Sequence, residues 1–167
     1  HALTPVLDLT VGERLTMRLT TVNETDAPQT LTQALHTYFA VGDATRTVLH
    51  GIDGRRYRDN RDGGAEKTQA GPFADVTACE RLVHGFDADP ALTIEDPVWG
   101  RRIAITGSGS RSVMVWNPGA DLAGGFADMA PDAWRDFVCV EVANCGPDDW
   151  VLQPGGMHEL TQTIGLD

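Results

Sequence analysis

At 167 residues, with 41% hydrophobic content, 18 Gly and 9 Pro, the chain has enough material for one turn-rich globular domain with its own core, expected to span residues 1–167. Its formal net charge of −11, from 13 Lys plus Arg against 24 Asp plus Glu, repels phosphate backbones and anionic lipid, so neither nucleic acid nor a membrane is expected as a partner. No apolar run has the length of a membrane-spanning helix and no basic segment leads into an apolar one, which sets the expectation of a soluble protein.

The predicted elements are strands. Residues 6–11 and 15–22 alternate like a hairpin around Gly12-Glu13, and 29–39 is a long alternating run. Strands follow at 45–50, 92–94, 101–106 and 112–116, then 138–144, 150–153 and 157–164. The intervals carry turn chemistry: Thr25-Asp26-Ala27-Pro28, Val41-Gly42-Asp43, Gly63-Gly64, Gly107-Ser108-Gly109-Ser110 and Gln153-Pro154-Gly155-Gly156. The polar stretch 58–70 reads as an exposed excursion, and the one helix expected is a short one near 131–135, with Pro131 in its first turn. Strands at this density with almost no helix predict an all-β fold, an antiparallel β-sandwich. The chain opens at His1 already reading as mid-domain, so part of a larger protein is expected to precede it.

Three cysteines, Cys79, Cys139 and Cys145, give no disulfide framework. They read as free thiols, and a reducing, cytoplasmic setting is expected. The five histidines are scattered without His-x-x-x-His or Cys-x-x-Cys spacing, so no metal site is expected. Arg101-Arg102 reads as a solvated strand start, and Asp87, Asp89 and Asp96 as turn residues, since their spacing fits no calcium loop.

Two stretches carry chemistry. In Phe137-Val138-Cys139-Val140-Glu141-Val142-Ala143-Asn144, one carboxylate stands in an apolar run, and burial on a strand would raise its pKa and make it a candidate base. Period-two alternation puts Cys139, Glu141 and Ala143 on one face, whose small neighbours leave room for a ligand; an edge-strand Glu facing water is the competing reading. In Leu35-His36-Thr37-Tyr38-Phe39, His36 shares a face with Ala34 and Tyr38, either as a hydrogen-bonded structural residue or as the acid partner of Glu141. Asn117, in Trp116-Asn117-Pro118, is a candidate sugar ligand, against the alternative of a core Trp closing a strand.

These residues resemble an ordered set of family motifs. Leu35-His36-Thr37-Tyr38-Phe39-Ala40-Val41-Gly42-Asp43, Gly51-Ile52-Asp53-Gly54 with Tyr57 and Asp59, Val115-Trp116-Asn117-Pro118, Asp128-Met129 and Cys139-Val140-Glu141 are similar to those of the hexose-6-phosphate mutarotases, or glucose-6-phosphate 1-epimerases, of the aldose 1-epimerase superfamily. The resemblance implies a galactose-mutarotase-type sandwich with a sugar cleft on one sheet. It implies His36 as the acid at the ring oxygen and Glu141 as the base at the anomeric hydroxyl, with no metal or organic cofactor. Glu80, in Glu80-Arg81, stands where the family has an Asp that contacts a sugar hydroxyl, so a longer carboxylate replaces the usual one. The chain resembles the carboxy-terminal portion of the family's domain, which implies a missing amino-terminal portion or a homodimer. A hexose or hexose 6-phosphate is the implied partner, and a non-catalytic carbohydrate-binding sandwich is the alternative. His36 and Glu141 are expected to face one cleft, separated on the scale of retaining catalytic carboxyl pairs, roughly 5–5.5 Å.

Overall fold

Alternation writes strands across the chain, and turn residues end them. In the computed structural model, which describes residues 2–167, β1 (Leu3–Val11) and β2 (Leu15–Asn23) pair as a hairpin in the expected place. The run predicted at 29–39 is three short strands, β3 (Gln29–Leu31), β4 (Gln33–Leu35) and β5 (Tyr38–Ala40). After β6 (Val48–His50) comes a correction: the supposed excursion at 58–70 is the outer part of a hairpin, with β7 (Arg56–Asp59) pairing β8 (Ala65–Thr68) around a 3-10 turn at Asn60–Asp62. Asp59 caps that turn by accepting from the Arg61 backbone N–H, and Lys67 reaches Asp59 and Asp62 at 2.8 Å each. The polar residues that suggested a loop hold a hairpin together.

β9 (Phe73–Ala74) and β10 (Cys79–His84) also went unanticipated, and are followed by β11 (Ala91–Asp96), β12 (Arg101–Ser108) and β13 (Ser112–Asn117). A short helix, α1 (Gly119–Ala123), comes next, and the helix expected near 131–135 is a single 3-10 turn, Ala133–Arg135. β14 (Phe137–Asn144), β15 (Trp150–Leu152) and β16 (Met157–Leu166) complete the chain. Asp96 is no surface turn residue. It is fully buried at the end of β11, where it accepts from the Gly42 and Trp99 backbone N–H groups and from Arg101.

β3 and β15 pair in a small two-stranded sheet, and the other strands form two large antiparallel sheets. One runs β1-β2-β16-β12-β11-β6-β9; the other runs β14-β13-β10-β7-β8, with β4 and β5 sharing the outer side of β14. Between the sheets, Leu49, Ile94 and Ile105 of the first meet Val83, Val113, Val115, Val138 and Val140 of the second in one buried cluster. The architecture is the expected all-β sandwich. Each of these fully buried aliphatics contributes about 1.5–3 kcal/mol relative to exposure, and all eight residues of β14 are buried, so the strand carrying Glu141 is the best anchored in its sheet.

On the first sheet the inner face runs on past the second. Leu7, Leu9 and Val11 of β1 line up across β2 with Leu160, Gln162 and Ile164 of β16, and Leu160 packs on Leu35 and Val142, yet Leu7, Leu9 and Val11 are 51%, 60% and 82% exposed. The step between this uncovered face and the edge at β5 is a trough of about 370 Å³, lined in part by Leu15, Phe39, Ile103 and Ile164.

Where β12 faces Val142 of β14, it carries no side chain. A Cβ at Gly107 would lie 2.7 Å from Cγ1 of Val142, the residue beside Glu141. Gly107→Val should therefore cost about 1–3 kcal/mol by overpacking, read as a lower thermal midpoint with the strand spectrum retained. Unchanged stability would show that the sheets do not approach as described.

Candidate active site

The pairing of β14 brings the two candidate proton-transfer residues together. Leu35 lies opposite Val142 and Tyr38 opposite Cys139, in the same register on both sides of a break, so the chain carries His36 across from Glu141. At the break, the Thr37 N–H turns back to Leu35 O at 2.9 Å, while Val140 N–H donates to Thr37 O at 3.3 Å. Below the sheet, the fully buried Gln162 of β16 donates to Val140 O at 2.9 Å and its amide oxygen accepts from the Thr37 hydroxyl. Gln162 thus ties the two strands together beneath the pair. Nothing in the sequence alone pointed to it.

His36 Nε2 lies 3.2 Å from Glu141 Oε1, with 52% of the His36 side chain exposed against 6% of that of Glu141. The expectation of one shared face holds, but the groups are in contact rather than a sugar ring apart. Tyr38 stacks on the imidazole at 5.0 Å and 19°, and Trp116 meets it edge-on at 6.1 Å. Glu80 is on the same face, because β10 pairs Glu80 with Trp116 and β13 pairs Met114 with Glu141. His36, Glu80, Met114, Trp116, Phe126 and Glu141 line an open cleft of about 390 Å³. Beyond Trp116 and Phe126, a second hollow of about 320 Å³ holds Tyr38, Asp128 and Met129.

Electrostatics follow from this layout. Burial pushes the Glu141 carboxyl from 4.5 up to about 7, and the Glu80 carboxylate adds to the rise by repulsion. A group with that value both takes and returns a proton near neutrality. Glu80 accepts from Asn60 Nδ2 at 2.8 Å, which aims its carboxylate while leaving acceptor capacity free.

Asn117 is a correction. It is fully buried; its amide donates to Trp134 O and Phe137 O at 2.8 Å each, and its oxygen accepts from the Gly119 N–H at 2.9 Å. Its hydrogen bonds tie β13 to the turn before β14, so it is not a sugar ligand. Its neighbour Trp116 faces the cleft instead. Met114 and Phe126 are lining residues that sequence reasoning missed. Register would have given Met114 once β13 was set against β14, whereas Phe126 sits in an irregular segment with no pattern to reveal it. Among the described residues, one group combines ligand types suited to a metal: His36, Cys139 and Glu141.

A family model described as aldose 1-epimerase matches residues 1–165. The chain belongs to the aldose 1-epimerase family. It is 32% identical over 136 residues to an Escherichia coli K12 protein named for glucose-6-phosphate 1-epimerase activity, covering 80% of this chain and 44% of that one. A similarly named protein of Cenchrus ciliaris is 29% identical over 131 residues, covering 77% of this chain and 39% of the relative. Among solved structures, a Salmonella typhimurium protein named for mutarotase activity superposes with a TM-score of 0.87 at 26% identity, over 99% of this chain and 54% of its own. This aldose 1-epimerase family chain thus spans about half the length of the relatives it matches.

Because Glu141 holds its proton more tightly folded than unfolded, its stability contribution is present below about 4.5 and lost as pH rises through about 7. Glu141→Gln escapes that loss. Denaturant midpoints should show the variant gaining on the wild type from pH 4 to pH 8 by about 1–3 kcal/mol, the upper figure being the full shift and the lower one allowing for what His36 returns to the carboxylate. A difference independent of pH would mean that Glu141 is not held up by burial.

Proposed function

We propose that this chain carries the proton-transfer site of a mutarotase acting on a hexose 6-phosphate. The observation that carries the reading is the contact between buried Glu141 and half-exposed His36, at 3.2 Å on the floor of an open cleft. The names of the relatives support the substrate class.

The chemistry needs two proton transfers around one carbon. Glu141 as carboxylate takes the proton of the C1 hydroxyl while His36, protonated, gives one to the ring oxygen; the C1–O5 bond breaks and an open-chain aldehyde forms. Rotation about C1–C2 presents the other carbonyl face, and reclosure runs the same transfers in reverse. Both reacting oxygens are bonded to the anomeric carbon, so groups in mutual hydrogen-bond contact suit the task. Glu80 would hold a sugar hydroxyl, and the Trp116 indole would cover pyranose C–H bonds.

Among the described residues no Arg or Lys lines the cleft, so the phosphate contact falls to residues outside it. We assign those to chain laid into the trough beside β5, either the rest of a longer polypeptide or a second copy, which would also cover Leu7, Leu9 and Val11. A cytoplasmic setting belongs to the same proposal, supported by the free thiols of Cys79, Cys139 and Cys145.

The test is anomer exchange of glucose 6-phosphate followed by NMR, with the chain alone and fused to the complementary half of a full-length relative. Exchange should be weak in the first and strong in the second. Glu141→Gln and His36→Asn should each slow the fused protein by about 10²–10⁴-fold, with sugar affinity largely kept in His36→Asn because ground-state binding and transition-state proton transfer are separable. Unchanged rates in both variants would refute the mechanism, and sugar binding without exchange would favour a binding module.

A further inference from the structure

His36, Cys139 and Glu141 present a ring nitrogen, a thiol sulfur and a carboxylate oxygen that all lie within 4.8 Å of one another. Cys139 and Glu141 stand two residues apart on β14 and so face the same side, while His36 reaches them from the neighbouring segment. Three protein donors of these types with a cleft on the remaining side match the ligand set and open position of zinc sites that exchange their fourth ligand. The sulfur and imidazole select against magnesium and calcium, which take oxygen donors.

The distances are close to those required. Zinc bonds of about 2.0–2.3 Å set tetrahedral donors roughly 3.3–3.7 Å apart; the His36–Glu141 contact is already 3.2 Å, and with all three donors within 4.8 Å of one another the sulfur has at most about 1 Å to close. We propose that His36, Cys139 and Glu141 form a binding site for a zinc-class divalent cation, which, when filled, occupies both proton-transfer groups and excludes the sugar. Binding releases the Cys139 thiol proton, and any proton on His36 or Glu141, to solvent. One thiolate and one carboxylate then balance the two positive charges, so the filled site is neutral. Without the cation, burial and the neighbouring Glu141 keep Cys139 as a thiol, its pKa raised well above the ordinary range. The cation makes the thiolate favourable instead.

Inhibition rests on the proton-transfer reading of this pair, whereas binding does not, and the experiment separates them. Cobalt(II) chloride titrated into chelator-treated chain should produce a thiolate-to-metal charge-transfer band that saturates at about one ion per chain and is displaced by zinc chloride. Cys139→Ser should remove the band and weaken zinc binding by roughly tenfold or more, given that even outer partners of such sites are worth 10–100-fold. Cys139→Ala guards against serine acting as a substitute ligand, and circular dichroism checks that both variants fold. Cys145→Ser, at a thiol outside the trio, should change nothing. In the active fused protein, zinc should inhibit exchange competitively with the sugar phosphate, a chelator should reverse this, and Cys139→Ser should resist it. A missing band, or zinc affinity unchanged in both Cys139 variants, would overturn the site. Cobalt and zinc binding as described, with no exchange in the metal-free fused protein, would uphold the site and overturn the mutarotase reading.

Discussion

A carboxylate on a fully buried strand is costly to ionise, and the surroundings of Glu141 are best understood by how that cost is met. Among the described residues no lysine or arginine lines its cleft, and the one group within salt-bridge distance is the His36 imidazole, a cation only when protonated. Glu80 adds repulsion from across the cleft floor. The carboxyl is therefore left near neutrality instead of being locked as an anion, which a permanent cation would have done. Reversible proton traffic depends on that incomplete compensation.

The same constraint explains the support beneath. A pair whose function depends on a few tenths of an ångström needs rigid strands, and the aliphatic side chains of β14 supply them on the core side. The break at His36–Thr37 costs ladder hydrogen bonds, which Gln162 replaces from the opposite sheet. A buried polar side chain in the core, fully satisfied, thus fixes the register on which the site depends. At the far end of β14, Asn144 plays a comparable part, donating to Gly109 O and accepting from Gln33, with the His158 ring 3.0 Å away.

Strands with one apolar face were legible from period-two alternation, which placed β1, β2, β12, β13 and β14 to within a few residues. β10 was not, because Arg81 falls on its inward side and breaks the pattern. That guanidinium lies over the rings of Phe73 and Tyr57, at 3.7 and 4.7 Å, and donates to Gln69, an arrangement that lets a cation sit where an apolar residue was expected. β7 and β8 were hidden by their charges for a similar reason. His36 and Glu141 were readable as a pair through motif resemblance, and each face assignment followed from alternation. The same alternation places Trp116 and Asn117 on opposite faces, which is why only the tryptophan reaches the cleft. Contacts between residues far apart in sequence, such as that of Gln162 with Thr37, leave no local signal, and neither does the approach of Cys139 to within 4.8 Å of His36.

Burial and Glu80 together hold the Glu141 carboxyl near neutrality beside His36. The carboxyl carbon of Glu141, followed by NMR against pH in the wild type and in Glu80→Gln, tests this most directly. A midpoint near 7 is expected in the wild type, and a lower one once the Glu80 charge is removed. A wild-type midpoint in the ordinary range for glutamate, about 4.3, with no response to Glu80→Gln, would contradict it.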